Sequence, residues 1–415
     1  MRRAVGLALF ALSGTAIAEL PLFDGGHVKG VWLTSSYPDD SVFREELGAV
    51  TQDQAIDVRF KFSVDAGAWQ VQADYQLLGR HGESIGGGGA LDNQFVPQRI
   101  VVDDDRRWWD LTSEINSGDE HVLLHRLDRL NVAYRGDKTV VRFGRQAVSW
   151  GNGVIYNPMD FFNPFDPAAV DTEYKVGDDM IYGQYLQDSG NDWQAVNVQR
   201  RDAAGDVSAE VSSTAVKYHG FGLDREYDLL LAQHYDEAIV GVGGVINVGD
   251  SVVRGDVMVS ETDPKWVTSL VVNWSYSWVW GDTNVSGVAE YFFNGFGLRE
   301  QDYSAEKIAA AEDLVARLAR GELYTLGRHY LASSLMMEVT PLLNVTPVLF
   351  FNLGDQSALA QVSVQWDFAQ DWQVLSALNV PLGPTGTEFG GIEGSPEGMT
   401  LATGTTVFVQ VARYF

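Results

Sequence analysis

The sequence predicts an all-β protein: a transmembrane antiparallel up-and-down β-barrel of about 18 strands (16–18), with long external loops and a short helix in one loop. Three observations carry that expectation. The amino terminus reads as an export signal, many segments alternate apolar and polar residues with period two, and no later stretch approaches the roughly 20 apolar residues of a membrane helix.

The export signal comes first in the chain. Met1-Arg2-Arg3 precedes an apolar stretch over 4–12, and Ala16-Ile17-Ala18 satisfies the small-residue rule for signal peptidase. Residues 1–18 are therefore expected to be a signal peptide and 19–415 a single barrel domain, with no Pro/Ser linker to divide it. The chain carries 29 basic and 56 acidic residues, a formal net charge of -27. Such a surface repels polyanions, so nucleic acid is not an expected partner. There is no cysteine, hence no disulfide framework and no thiolate metal site. Neither a cofactor nor a metal is expected.

Alternation is the main signal, because successive side chains of a barrel strand face lipid and lumen in turn. In segment 56–65, Ile56, Val58, Phe60, Phe62 and Val64 make one face, and Asp57, Arg59, Lys61, Ser63 and Asp65 the other. After Ala66-Gly67 the pattern resumes with Trp69, Val71, Ala73, Tyr75 and Leu77 against Gln70, Gln72, Asp74 and Gln76. Segment 358–368 repeats it. Less regular strands are expected at 28–36, 123–135, 138–147, 179–187, 192–201, 211–220, 226–236, 238–248, 251–260, 265–280, 283–294, 327–340, 344–354, 371–381 and 404–415. Counted in order, every second connection is a short turn, and the long ones (79–122, 148–178, 202–210, 295–326 and 382–403) all fall on the other side, as in outer-membrane barrels. Trp266, Trp274, Tyr276, Trp278 and Trp280 share one parity, which suits an interfacial aromatic belt.

At the carboxyl end Val407, Val409 and Val411 alternate up to Phe415. This resembles the terminal signature of outer-membrane barrels. The resemblance implies that Phe415 is an assembly signal, that barrel-assembly machinery is a partner, and that the chain sits in the cell outer membrane among lipid and lipopolysaccharide. Arg413 departs from it, standing where an apolar or aromatic residue is usual. A second run, Arg142-Phe143-Gly144-Arg145-Gln146, Trp150-Gly151, Asn157-Pro158-Met159-Asp160 and Asn163-Pro164-Phe165-Asp166-Pro167, is similar to one found in porin-like outer-membrane β-barrel proteins of Gram-negative bacteria, where a strand leads into a Pro-rich loop. It names no substrate, and the sequence leaves the oligomeric state open.

A barrel of this size is too wide for its own side chains to fill, so a channel for passive passage of small solutes is the default expectation. Alternation points Asp57, Arg59, Lys61, Asp74, Arg142, Lys217, Arg254, Asp256, Glu290 and Asp367 into the lumen as pore-lining candidates. Each is either a selectivity group or half of a structural pair. Loop 148–178 is the constriction candidate. Pro158, Pro164 and Pro167 keep its middle out of any ladder, and Tyr156, Phe161, Phe162 and Phe165 are too apolar to stand in water. A rim lid is the alternative.

Residues 304–321 read as an amphipathic helix with Ile308, Ala311, Val315 and Leu318 on one face and Glu306, Lys307, Glu312 and Arg317 largely elsewhere. Ser304 is the expected cap and Gly321 the stop. The glycines at 86–89 suggest a flexible stretch. The acidic run Asp103-Asp104-Asp105 reads as solvated charge or, less economically, as a collector of divalent cations bridging lipopolysaccharide. Among the seven histidines, His234 with Asp236 is the one arrangement worth noting, yet no motif ties a serine to it, so an enzyme is not expected. A transporter for hydrophobic substrates and a plugged structural or receptor barrel remain as alternatives.

Overall fold

The computed structural model describes residues 22–85, 103–263, 265–299, 303–394 and 398–415. Residues 1–18, expected as a signal peptide, and the glycines at 86–89 lie outside the described residues. Period-two segments become the wall: β1 (Phe23–Ser36), β2 (Val50–Ala66), β3 (Trp69–Gly82), β4 (His121–Arg135), β5 (Thr139–Gln146), β6 (Asp178–Leu186), β7 (Asp192–Val198), β8 (Ser213–Phe221) and β9 (Arg225–His234). The second half is β10 (Glu237–Val248), β11 (Ser251–Thr262), β12 (Lys265–Trp280), β13 (Thr283–Phe293), β14 (His329–Thr340), β15 (Leu343–Asn352), β16 (Ala358–Ala369), β17 (Trp372–Leu382) and β18 (Thr406–Tyr414).

Each strand pairs antiparallel with its chain neighbours, and β18 closes the ring on β1 with Trp32 opposite Val409. Closure matters because an open edge inside lipid would leave unpaired backbone groups, each costing several kcal/mol. The outer face is apolar: Trp32, Val71, Ile181, Leu231, Val242, Trp274 and Trp366 are all exposed. Trp274, Tyr276 and Trp278 stack in a row on that face, at centroid spacings of 6.0 and 5.9 Å. Phe415 packs between Phe23 and Phe60, and its carbonyl accepts from the Gly26 N–H at 2.8 Å. Arg413 lies over the Trp372 ring, which shelters the charge beside lipid.

The wall is uneven. Strands β5 to β8 have 8, 9, 7 and 9 residues, against 14, 17, 14 and 15 in β1 to β4. The connection 79–122 makes good part of the shortfall: its strand Thr112–Gly118 pairs with the outer half of β4, and Arg107 bridges to Arg200 beyond the end of β7. Arg145 knots this patch. Fully buried, it donates to Asp179 at 2.8 and 3.0 Å, to Asp104 at 2.8 Å and to the Trp109 carbonyl at 2.7 Å. The acidic run at 103–105 is therefore not simply solvated, because Asp104 is buried and committed to Arg107 and Arg145.

At the long-loop end the expected single helix is two, α2 (Ala305–Ala310) and α3 (Glu312–Arg320), broken where Ala311 takes φ -91 and ψ 64. A further short helix, α1 (Val42–Leu47), was not expected. Gly321 ends α3 in the left-handed conformation, as its sequence position suggested. Ser304 holds the cap position without a side-chain capping bond. Arg317 corrects the sequence reading: it is buried, over the Phe296 ring at 3.6 Å and paired with Glu237. Leu314 and Leu318 join Phe296, Tyr303 and Val267 in one apolar cluster, so the helices pack on the barrel mouth.

Candidate functional site

Loop 148–178 leaves the wall at the end of β5 and returns at the start of β6, and its route follows from its polar backbone. An irregular segment inside a barrel has no ladder of its own, so its N–H and C=O groups need partners from the wall. They find them on inward-facing side chains around the ring. Trp150 Nε1 donates to Gln194 on β7 at 2.7 Å. The Asn152 N–H donates to Asp256 on β11 at 2.6 Å, its side-chain amide to Asp228 on β9 at 3.1 Å, and its carbonyl accepts from Asn273 on β12 at 3.1 Å. The carboxylate of Glu290 on β13 then collects three consecutive N–H groups, those of Val154, Ile155 and Tyr156, at 2.7, 3.1 and 2.5 Å. Two glycines permit this approach: a Cβ on Gly151 would lie 2.0 Å from Asn157 Oδ1, and one on Gly153 1.8 Å from the Tyr156 carbonyl oxygen.

The chain next turns back over its own start. Met159, Phe161 and Phe162 settle with Val148 and Trp150 onto an apolar inner patch of Met180, Val196, Leu230, Ile239 and Met258. It then runs along the opposite side. Gln361 on β16 donates to the Ala168 carbonyl at 2.8 Å, and Lys29 on β1 meets Asp171 and Glu173 at 2.6 and 2.8 Å. Tyr414 on β18 donates to Glu173 at 2.9 Å, and Lys61 to the Tyr174 hydroxyl at 3.0 Å, with Arg59 over the same ring at 4.2 Å. Tyr414 is the last residue of the closing strand, so the loop reaches almost to the short-turn end. The loop lies inside the barrel. It is not a lid on the rim.

The constriction candidates divide. Tyr156 is buried with its ring stacked on Phe292 at 4.7 Å, and Phe161 and Phe162 are buried against Trp150 and His234. These three glue the loop to the wall, whereas Phe165 is exposed. All ten pore-lining candidates sit on the face opposite the apolar band, and several are already occupied. Arg59 pairs with Asp128 at 2.7 Å and lies near Asp74, Lys217 pairs with Asp228 at 3.2 Å, and Asp256 and Glu290 hold the loop. Asp57 accepts from Gln76 and Asp367 from Gln373. Arg254 donates to Ser275, and Arg142 lies over the Tyr182 ring.

Sequence reasoning missed Asp128, Arg126, Arg129, Asp178 and Asp179, which with Arg59, Arg145 and Arg200 build an ionic cluster on the wall from β2 to β7. Local alternation hinted at their facing but not at their pairing. It also missed the partners of His234. Ser213 lies 2.7 Å from Nδ1 and Glu322 2.8 Å from Nε2, while Asp236 is exposed in the following turn. Arg200 donates to the same Ser213 oxygen at 2.7 Å, and Ser213 is only 2 % exposed. Arg200, Ser213, His234 and Glu322 make a connected chain of hydrogen bonds, with Glu322 accepting at its end, that ties β8 and β9 to the mouth loop. Glu322 is held at about 2: burial opposes its ionisation, and His234 and Arg320 outweigh that. Among the described residues no group of three or more His, Asp or Glu side chains is arranged to hold a metal ion.

No family model matches the sequence, and no curated protein is similar to it. Solved structures are. The fold matches OccAB1 of Acinetobacter baumannii at a TM-score of 0.52 and 12% identity, over 96% of this chain and 98% of that one. The fold is that of the porin-like outer-membrane barrels. A BenF-like porin from Pseudomonas fluorescens Pf-5 matches at 0.51 and 9% identity, over 94% and 97% of the two chains. So does Wzi of Escherichia coli, an outer-membrane protein involved in group 1 capsule assembly and described as a carbohydrate-binding β-barrel, at 0.51 and 9% over 93% and 83%.

Proposed function

We propose that this protein is an outer-membrane channel for passive passage of small solutes, with loop 148–178 as its constriction. The observation that carries the reading is the inward route of the loop, anchored on strands around the ring. An 18-strand wall alone leaves a wide aqueous bore, and a loop pinned across it is the means of narrowing that bore. The pore-lining role of Lys61, Arg142 and Arg254 belongs to the same proposal, since among the described residues none of the three has an acidic side chain within ion-pair distance. Lipopolysaccharide and the barrel-assembly machinery, the latter acting through Phe415, are the partners it implies.

Planar-bilayer recording tests it. Deleting 156–165 is expected to raise single-channel conductance while leaving the barrel assembled, because loops add little to the hydrogen-bonded wall. Equal conductance of the intact and deleted proteins would sink the constriction. A silent intact protein that conducts only after deletion would make the loop a plug. The apolar inner patch around Met180 and Met258 favours one second reading, passage of hydrophobic solutes. Under that reading an alkyl-chain amphiphile blocks the ion current in the intact protein, and a sugar of equal size does not.

A further inference from the structure

The inner loop makes three passes, and one buried side chain touches all three. The outgoing pass starts at Val148, the return pass carries Asp160, and the far pass ends at Lys175. The Lys175 ammonium donates to the Val148 carbonyl at 2.6 Å, to Ser149 Oγ at 3.2 Å and to the Asp160 carboxylate. Lys175 and Asp160 are 7% and 6% exposed. The Lys175 carbonyl accepts from Arg129 on β4 at 2.5 Å, which fixes that end of the loop to the wall. No other residue of the loop links its beginning, middle and end in this way.

We propose that the Asp160–Lys175 pair is the clasp of the inner loop, holding its three passes together and thereby setting the width of the passage. The second clause rests on the channel reading above, and the first does not. The argument is one of charge. A buried ammonium with two neutral acceptors and one carboxylate is satisfied, but removing either charged partner leaves the other ionised in an apolar setting beside Met159, Phe161 and Val148. That is the costly way to break a buried pair, whereas removing both charges together is cheap. A clasp of this kind should therefore fail when halved and recover when both halves become neutral. A side chain that merely fills space cannot behave so.

Acid gives a second signature. Burial pushes the Asp160 carboxyl up to about 6, Lys175 only partly opposing it, and burial lowers Lys175. The charges facing the pair are Asp178 on β6 and Arg129 on β4, and His234 on β9 lies behind Phe161. A carboxyl raised in the docked loop takes up a proton more readily there than when the loop is free. Its contribution to docking is thus present in acid and lost as pH rises through about 6. With Lys175 removed that dependence should become dominant, because neutral Asp160 needs no cation.

Hydrogen exchange over 148–178, read by mass spectrometry, and bilayer conductance are compared for the native protein, Lys175→Met, Asp160→Asn and the double variant, at pH 8 and pH 5.5. Gel mobility before and after heating confirms barrel assembly in each. The clasp predicts that Lys175→Met speeds exchange in the loop by roughly a hundredfold at pH 8, as expected for an unpaired buried charge, and raises conductance. Both changes should reverse at pH 5.5 or on adding Asp160→Asn. Native exchange rates in Lys175→Met overturn the clasp, as does a loss that neither acid nor the second substitution repairs. If exchange responds as expected but conductance steps stay constant, the aperture clause is overturned. If no variant conducts, the channel reading fails, while exchange still decides the clasp.

Discussion

The wall and the inner loop of this barrel are held by opposite means. The wall is repetitive: each backbone group bonds a neighbouring strand, and the side chains decide only which face meets lipid. The inner loop repeats nothing. It is held by individual wall side chains such as Glu290, Asp256, Gln361 and Lys29, each serving particular backbone or side-chain groups. Loss of one wall side chain should consequently be diluted over many ladder bonds, while loss of one loop anchor should act locally and in full.

The junction between the two regions should show the largest effect. Arg145 closes the thin patch of wall and borders the loop's exit, so Arg145→Met leaves Asp179 without a cation and Asp104 with Arg107 alone. A loss of about 3–5 kcal/mol in urea unfolding from liposomes is expected, and a loss under 1 kcal/mol would mean that the neighbouring arginines compensate. Next comes charge against lipid. Val242→Arg, in mid-strand on the apolar face, should cost about 2–4 kcal/mol in the same assay. Glu290→Gln should cost less globally, about 1–3 kcal/mol, but should abolish exchange protection at 154–156 while the strands keep theirs. Equal loss of protection in β13 would erase the distinction between wall and loop.

The smallest effect expected is a pH dependence at the mouth. Glu388 is buried where it accepts from the Leu326 N–H at 2.7 Å, from Asn352 at 2.7 Å and from Tyr330 at 2.5 Å, and burial pushes it up to about 7. Its folded state therefore favours the protonated acid, and the anchorage it gives is lost as pH rises through about 7. Exchange at Leu326, corrected for the intrinsic rate, should be slower at pH 5.5 than at pH 8 in the native protein. The dependence should flatten in Glu388→Gln.

The same contrast explains what could be read beforehand. The 18 strands of the ring were legible, because facing lipid or lumen is a local property written in period two, and Phe62 beside Ser63 is enough to show it; the strand Thr112–Gly118 that patches the wall lay inside an expected loop and was not. That loop 148–178 is irregular was legible from its prolines, and its inward turn from its aromatics. Its route was not. Glu290 and the N–H groups it receives lie 134 to 136 residues apart, and nothing local to either marks the other. The same holds for Ser213, His234 and Glu322, where the expected partner was the near Asp236 and the actual one comes from a different loop. Arg317 was misplaced because helical periodicity counts apolar residues, and a guanidinium over Phe296 is buried as if it were one.

The loop's far pass grips both strands of the closing seam, with Lys29 of β1 on Asp171 and Glu173, and Tyr414 of β18 on Glu173. Those two strands are neighbours in space and strangers in sequence, and they meet only when the sheet has curled into a cylinder. The Glu173 contact therefore has no complete binding partner in any half-built barrel. This stretch of the loop can make both of its grips only when β1 and β18 have met, and once made they are a tie-rod across the joint that unites the two ends of the sheet.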